Sequence, residues 1–395
     1  MLFINYVDRG TLPTAVHSIQ LDLNLSPVRL GLLLSAFFWT YASSQVPVGW
    51  LAERYGAHRV LAGGLILWAS ATIMIGFAHT FAVLMVLRLL MGLGESAGFP
   101  SVAKIMAAIV PAKGLGTANG IVAFGYLMGP VVGTFAGGLL MDRFGWRAAF
   151  WVFGALSLLW LLPWSRVAGQ VRTAVRAGAE DSPTWGMILR QPSLWGTGLG
   201  LFSANYVFYF MLSWLPSYLQ TERGFSIVGM ASIATSAYIV NAISAFVGGW
   251  AIDRFLRRGG SANTGYKFVM AVAHLGYVIC MLAMAMGSPK VALISLFIYQ
   301  ALCGASSPGV YAMCQILAGP RASGRWVGIQ NSLGSLAGVV APALTGWIIQ
   351  ETGHYTNAFV AAAAFSVFGL IGWIWMVPPL AELRWSAPRA AVSLT

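Results

Sequence analysis

Apolar residues run along this chain in long unbroken stretches, separated by short polar or glycine- and proline-containing connections. The stretches cover about 1–19, 30–51, 60–78, 83–108, 117–140, 148–165, 194–219, 227–252, 267–287, 290–317, 326–349 and 357–377. Each approaches the roughly 20 residues that a helix needs to cross the hydrocarbon core of a bilayer. They do not alternate, and they are too long for barrel strands. The pattern therefore predicts an all-α membrane protein of twelve transmembrane helices. The longest polar connection separates six stretches from six, which divides the chain into an N-terminal bundle (1–167), a linker (168–193), a C-terminal bundle (194–377) and a tail (378–395). The first stretch opens at Met1, and Asp8 and Arg9 interrupt it. It reads as a helix cut short or begun upstream, since a signal peptide needs an uninterrupted apolar region.

Composition agrees with the pattern. Hydrophobic residues make up 58% of the 395 and charged residues only 9%, with a mean hydropathy of +0.75, more than a soluble core of this length hides. The net charge of +12 does not indicate nucleic acid, because the basic residues sit singly in connections and form no basic-aromatic surface. They report topology instead. Arg54, Arg59, Lys113, Arg190, Arg257 and Arg321 fall on one side, with Arg172 and Arg176 of the linker and Arg384 and Arg389 of the tail. Arg29, Arg143, Arg147, Arg223 and Lys290 fall on the other. Positive charge concentrates on the cytoplasmic side, so both termini are expected there. Cys280, Cys303 and Cys314 lie in apolar stretches with no CxxC or Cys/His cluster, so neither a disulfide framework nor a metal site is expected. No cofactor is expected either.

Against this background, ionisable groups inside the spans stand out, because each is costly there unless it faces a partner or a wet cavity. Arg88 and Glu95 are seven residues apart in the fourth span, two turns along one helical face, so Arg88 is expected to pair with or tune Glu95. Asp8 and Arg9 are neighbours in the first span. About 100° separates them on a helix, so they need different partners. The planar fork of Arg9 suits a carboxylate, which makes it the expected anion ligand. Glu95, with Asp8 as a second group, is the expected proton carrier, and a structural ion pair among these residues is the alternative. Lys104 is expected to snorkel toward the cytoplasm. His17 and His274 are isolated.

The two halves repeat. Gly49-Trp-Leu-Ala-Glu53-Arg54-Tyr-Gly56 after the second span returns 200 residues later as Gly249-Trp-Ala-Ile-Asp253-Arg254 after the eighth. Weaker echoes, Gly138 to Gly145 and Gly346 to Gly353, follow the fifth and eleventh. Three-helix units, two per half, are the nested-repeat pattern of secondary transporters, whose substrate binds between the halves near the midplane. Gly125, Gly129, Gly133 and Gly137, and Gly334, Gly338 and Gly346, read as close-packing rows.

The segment Gly49–Arg59 resembles the loop motif between the second and third helices of the major facilitator superfamily, with Glu53 where that motif usually has Asp. In that reading Gly49, Glu53, Arg54, Gly56 and Arg59, with Asp253 and Arg254 in the second half, form a conformational latch in which the basic residues grip the neighbouring helix. Asn5-Tyr6-Val-Asp8-Arg9, Arg88 through Glu95 to Pro100, and Asn205-Tyr206-Val-Phe-Tyr209 through Tyr218 look like the anion:cation symporters of that superfamily. The resemblance spans nearly the whole chain. It implies import of a carboxylate such as a sugar acid or an aromatic acid, by proton symport, in a monomer of the cell (inner or plasma) membrane. It also implies that Tyr6, Tyr41 and Asn331 contact substrate. Asn205 and Tyr209, polar groups in apolar helices, join Arg9 as candidate ligands. Tyr126 departs from the polar amide expected there in many sugar-acid carriers. An uncoupled facilitator or exchanger, or a membrane receptor that binds the anion without moving it, remains open. An enzyme is not expected, since no nucleophile–base pair appears.

If the arginine asymmetry is read correctly, cysteines placed at Ala177 and Ala391 react with an impermeant maleimide only after cells are permeabilised. Labelling in intact cells reverses the orientation.

Overall fold

The computed structural model describes residues 1–25, 27–177, 182–224 and 227–385. Glu180, Asp181 and Arg389 lie outside the described residues, as do the side chains of His17, Arg172 and Arg176. Among the described residues the chain is helical, with no strand. In order it forms α1 (Leu2–Asp22), α2 (Pro27–Leu51), a π-helical turn (Ala52–Gly56), α3 (Ala57–Ile75), α4 (Phe81–Glu95), α5 (Gly98–Ile109) and α6 (Leu115–Phe144). There follow α7 (Trp146–Leu159), α8 (Leu161–Ala177), α9 (Trp185–Leu189), α10 (Pro192–Thr221), α11 (Ile227–Arg257), α12 (Ala262–Met286), α13 (Pro289–Thr352) and α14 (Thr356–Ile371), with a last π turn at Gly372–Met376.

Nine stretches among the described residues are long and apolar enough to cross a membrane. Two of them, Leu32–Ile75 and Pro289–Thr352, each hold two spans. With α1 added, the count is consistent with the twelve spans expected. The second double stretch bends at Gly319, whose φ is +61°, immediately before Pro320. The sequence reading missed two breaks, and prolines explain both. Pro100 cannot donate to the carbonyl four residues back, at Ser96, and the fourth span splits there into α4 and α5. Pro163 does the same at Leu159, splitting the sixth into α7 and α8. The helix of α8 also runs through Ala177, past the expected start of the linker at 168.

Caps fix several starts. Thr80, Ser261 and Ser288 each accept a hydrogen bond from the backbone N–H three residues on, at Val83, Thr264 and Val291. The repeated loop ends share one backbone feature, since Gly56, Gly145 and Gly353 all have positive φ, the left-handed region that glycine enters at least cost.

The glycine rows are where helices meet. In α6, a Cβ at Gly129 would lie 2.6 Å from the Tyr6 Cβ of α1, and one at Gly133 would run into the Val7 carbonyl. In the second half, Gly334 faces Leu201 and Asn205 of α10, and Gly338 faces Tyr209. The fifth span thus packs on the first as the eleventh packs on the seventh, as the repeat implies. Beyond α14, the Leu383 N–H donates to the Leu317 carbonyl (2.9 Å) and the Trp385 indole to that of Ala318 (3.2 Å). The early tail thereby satisfies carbonyls left open where α13 bends.

Replacing Gly133 by Leu forces α1 and α6 apart and should cost about 1–3 kcal/mol, read as a lower melting temperature in detergent. Gly63→Ala is the control, because nothing lies within 4 Å of a Cβ there; it should leave the melting temperature unchanged or slightly raised.

Candidate functional site

Helices α1–α8 form one set and α10–α14 another, and the two sets meet through paired contacts at the end that carries Glu53. Glu53 accepts hydrogen bonds from the Arg325 backbone N–H (3.0 Å) and from its Nε. Asp253 accepts from the Gly116 N–H at Oδ1 (3.0 Å) and from the Thr117 N–H at Oδ2 (2.6 Å). Those two amides belong to the first turn of α6, whose N–H groups have no partner within the helix and carry the positive end of its dipole. The arrangement is two-fold. Glu53 and Asp253 are 200 residues apart, and their receivers, Thr117 and Arg325, are 208 apart. Glycines permit the approach: a Cβ at Gly49 would lie 2.5 Å from the Gly324 carbonyl, and one at Gly249 would collide with that of Gly116.

Two further polar links reinforce this end. Asn119 and Gln315 exchange amide hydrogen bonds across the sets (2.7 and 3.4 Å). Lys104 is fully buried and donates from Nζ to the Pro320 carbonyl at 2.7 Å. It does not snorkel, because the bend at Gly319 brings that carbonyl within its reach. Arg54 and Arg59 are exposed and grip nothing, and Arg254 lies over the Trp250 ring of its own helix at 5.5 Å. The acids and glycines of the motif make the clasp; its arginines do not.

Between the sets, further from the clasps, lies the charged centre. Arg9 Nε donates to Glu95 Oε2 at 2.7 Å. Three rings surround the guanidinium, Tyr6, Phe37 and Tyr41, at 4.5, 4.8 and 4.3 Å from their centroids. Its Nη2 has no hydrogen-bond partner. Tyr209 of α10 lies within electrostatic range of both Arg9 and Tyr41. On the opposite wall, Tyr311 donates to Asn331 Oδ1 (3.1 Å), and the buried Asn331 Nδ2 is unpartnered. The structure thus gathers Tyr6, Arg9, Tyr41, Glu95, Tyr209 and Asn331 around one region.

Other expected members go elsewhere. Arg88 makes no hydrogen bond or ion pair with Glu95, although it stays within electrostatic range of it. It donates to the Leu33 and Leu34 carbonyls of α2 (3.4 and 3.5 Å) and lies over Phe37 at 4.9 Å. The neighbour of Glu95 comes from α1, which spacing along α4 alone does not reveal. Asp8 points into the first bundle, where Oδ2 accepts from the Trp68 indole (3.0 Å) and the Ser157 hydroxyl (3.3 Å). It has a different partner from Arg9, as the 100° separation requires. Trp68 and Ser157 gave no signal in the sequence. Asn205 spends its amide N–H on the Gly334 carbonyl (3.0 Å) and serves packing between α10 and α13. His274 is buried within the second bundle, bonded to the Met270 carbonyl.

A profile of the Major Facilitator Superfamily matches residues 1–289 and 230–394, nearly the entire chain. The chain belongs to the major facilitator superfamily. Its curated relatives include the hexuronate transporter of Bacillus subtilis, 29% identical over 95% of this chain and 92% of that protein. The probable galactarate/D-glucarate transporter of Escherichia coli is 29% identical over 97% and 93%. A probable chloroplastic anion transporter of rice is 28% identical over 93% of this chain, which spans 65% of its length. Among solved structures, a proton:xylose symporter superposes with a TM-score of 0.77 over 96% of this chain and 94% of its own, at 15% identity. A fucose:proton symporter of Escherichia coli does so at 0.72 over 95% and 96%, at 16% identity. At that identity these structures establish the shared fold alone. The resemblance to anion carriers and the reading that the chain is no enzyme are borne out: this is a multi-pass membrane protein of a transporter family, with anion and sugar-acid transporters among its relatives.

In this superfamily member, Asp253→Ala should raise hydrogen–deuterium exchange at Gly116 and Thr117, while Glu53→Ala raises it at Arg325. The expected loss is on the order of 1 kcal/mol per clasp, roughly fivefold in local opening. Mass-spectrometric exchange of peptides covering 112–120 and 320–328 reads both.

Proposed function

We propose that this protein imports an organic anion together with protons, by alternating access, across a cell (inner or plasma) membrane. The observation that carries the reading is the Arg9–Glu95 ion pair, which joins α1 and α4 of the first set within electrostatic range of Tyr209 of the second, with Nη2 of Arg9 left unpartnered. A guanidinium held by a carboxylate of the protein can exchange it for a carboxylate of the substrate. The exchange keeps the site neutral only if Glu95 takes up a proton as it lets go. Proton and anion then enter together, because leaving either charge alone in an apolar interior costs several kcal/mol. Asp8, buried in the first bundle with neutral donors only, is the second proton site. The names of the hexuronate and galactarate/D-glucarate relatives support an organic anion as cargo.

In this proposal residues 1–167 and 194–377 rock as two bundles about the central site. The linker 168–193, the tail 378–395 and both termini are cytoplasmic, and the carrier works as a monomer. The clasps of Glu53 and Asp253 then hold the cytoplasmic end shut, and opening that end breaks both.

Two variants test the reading in proteoliposomes. Glu95→Gln should still exchange internal for external substrate, since that half-cycle needs no proton release, but an imposed pH gradient should no longer drive accumulation. Arg9→Lys, which lacks the planar fork, should weaken binding at least tenfold. Accumulation by Glu95→Gln equal to the parent's removes Glu95 from coupling; unchanged affinity in Arg9→Lys removes Arg9 from the site; a parent indifferent to pH ends the symport reading.

A further inference from the structure

The cargo itself can be narrowed from what surrounds Arg9, and the argument rests on the anion site proposed above. Past the three rings that face the guanidinium, the lining continues as aromatic surface. Tyr6 meets Tyr126 at 5.2 Å between centroids, Tyr126 meets Phe99 at 5.8 Å, and Phe99 of α5 stacks on Tyr311 of α13 at 5.0 Å with an interplanar angle of 14°. That last pair spans the two helix sets and lies one turn beyond Glu95 toward the clasps, so it floors the site. Tyr6, Tyr126, Tyr209 and Tyr311 are only half-buried although they lie between the sets.

Partners for hydroxyl groups are few by comparison. The Asn205 amide N–H is bonded to the Gly334 carbonyl, and Asn331 Oδ1 and the Tyr311 hydroxyl are bonded to each other. Asn331 Nδ2 is an unspent amide donor, as are Asn5 Nδ2 and Gln45 Nε2 of the first set. A polyhydroxylated acid must share these amides and the tyrosine hydroxyls, at about 1–3 kcal/mol for each hydroxyl left unpaired, whereas a flat ring gains stacked and edge contacts with every wall. Charge narrows the choice again. Arg9 is the guanidinium at the centre, and its Nε is already on Glu95, while Arg88 is turned onto α2. One carboxylate is matched at Arg9; the second guanidinium beside the same Phe37 ring, that of Arg88, is spent on the Leu33 and Leu34 carbonyls.

The repeat explains how the roles divide. Asn5-Tyr6-Val7-Asp8-Arg9 in the first span corresponds, 200 residues on, to Asn205-Tyr206-Val207-Phe208-Tyr209. Where the first set carries the acid and the guanidinium, the second carries two aromatic rings. The second set adds rings where the first carries charge, and Tyr6, Phe99 and Tyr126 of the first set complete the aromatic lining.

We propose that the substrate is an aromatic monocarboxylate, with its carboxylate on Arg9 and its ring enclosed by Tyr6, Tyr126, Phe99 and Tyr311. Asn331 Nδ2 offers one donor to a ring substituent that carries an acceptor oxygen.

The test compares benzoate, 4-hydroxybenzoate, phthalate and D-gluconate by calorimetric titration of the purified carrier, with Arg9→Ala, Tyr126→Phe and Tyr126→Gln as variants. Benzoate or 4-hydroxybenzoate should bind at least tenfold tighter than gluconate, and phthalate no tighter than benzoate. Tyr126→Gln should lose about fivefold in benzoate affinity and narrow its margin over gluconate, and Tyr126→Phe, which keeps the ring, should lose less. Gluconate binding as tightly as benzoate, or a folded Tyr126→Gln with undiminished benzoate affinity, overturns the aromatic assignment. If Arg9→Ala abolishes binding of a preferred hydroxylated acid, the anion site stands and the ring preference alone falls. If Arg9→Ala binds as the parent does, or none of the four acids binds, the site itself is wrong.

Discussion

A guanidinium and a carboxylate placed between two apolar helix bundles constrain everything around them. Neither Arg9 nor Glu95 tolerates isolation there, so each must keep the other or find a replacement of the same sign. The surrounding structure serves that requirement. The row of glycines in α6 lets α1 approach closely enough to bring Arg9 to the interface, the break after Glu95 ends α4 at the level where the guanidinium sits, and aromatic faces shield the pair from bulk water while favouring the cation.

The clasps answer a different need. A carrier must pass between states of similar free energy, so the interactions that close one end must be individually modest and numerous. Carboxylates set on backbone amides, an amide pair, and a lysine on a carbonyl each fit that description. Their two-fold relation spreads the load over both bundles.

Much of this was legible in the sequence, and the limits have physical reasons. Long apolar runs mark spans because the bilayer demands them, and the 200-residue repeat exposed both halves and the pairing of Glu53 with Asp253 as equivalents. What a one-dimensional pattern does not carry is which helix lies opposite which. Arg88 and Glu95 share a face of one span, yet the decisive neighbour of Glu95 is Arg9 from another, and Arg88 turns to α2. Lys104 looked like a cation near a membrane surface because the bend at Gly319 that supplies its acceptor lies more than two hundred residues away. Pro100 and Pro163 were visible, and weighing the carbonyls four residues before them locates the breaks. Trp68 and Ser157, which receive Asp8, look like ordinary core residues until the bundle is assembled.

Three of the four groups that donate to the clasps are main-chain amides, and that choice has a consequence for descent. Thr117 and Arg325 occupy matching places in the two halves with unlike side chains, because the bond asks only for an N–H. Any residue except proline supplies one. At Thr117 the side chain is therefore free of the contact, whereas Gly116 admits no Cβ beside Asp253, and Arg325 gives its side-chain Nε to Glu53 as well. Searches for compensating pairs of substitutions among relatives should find partners for many contacts in this fold, yet none linking Asp253 to Thr117, whose part in the contact is written in the backbone rather than in the alphabet of side chains.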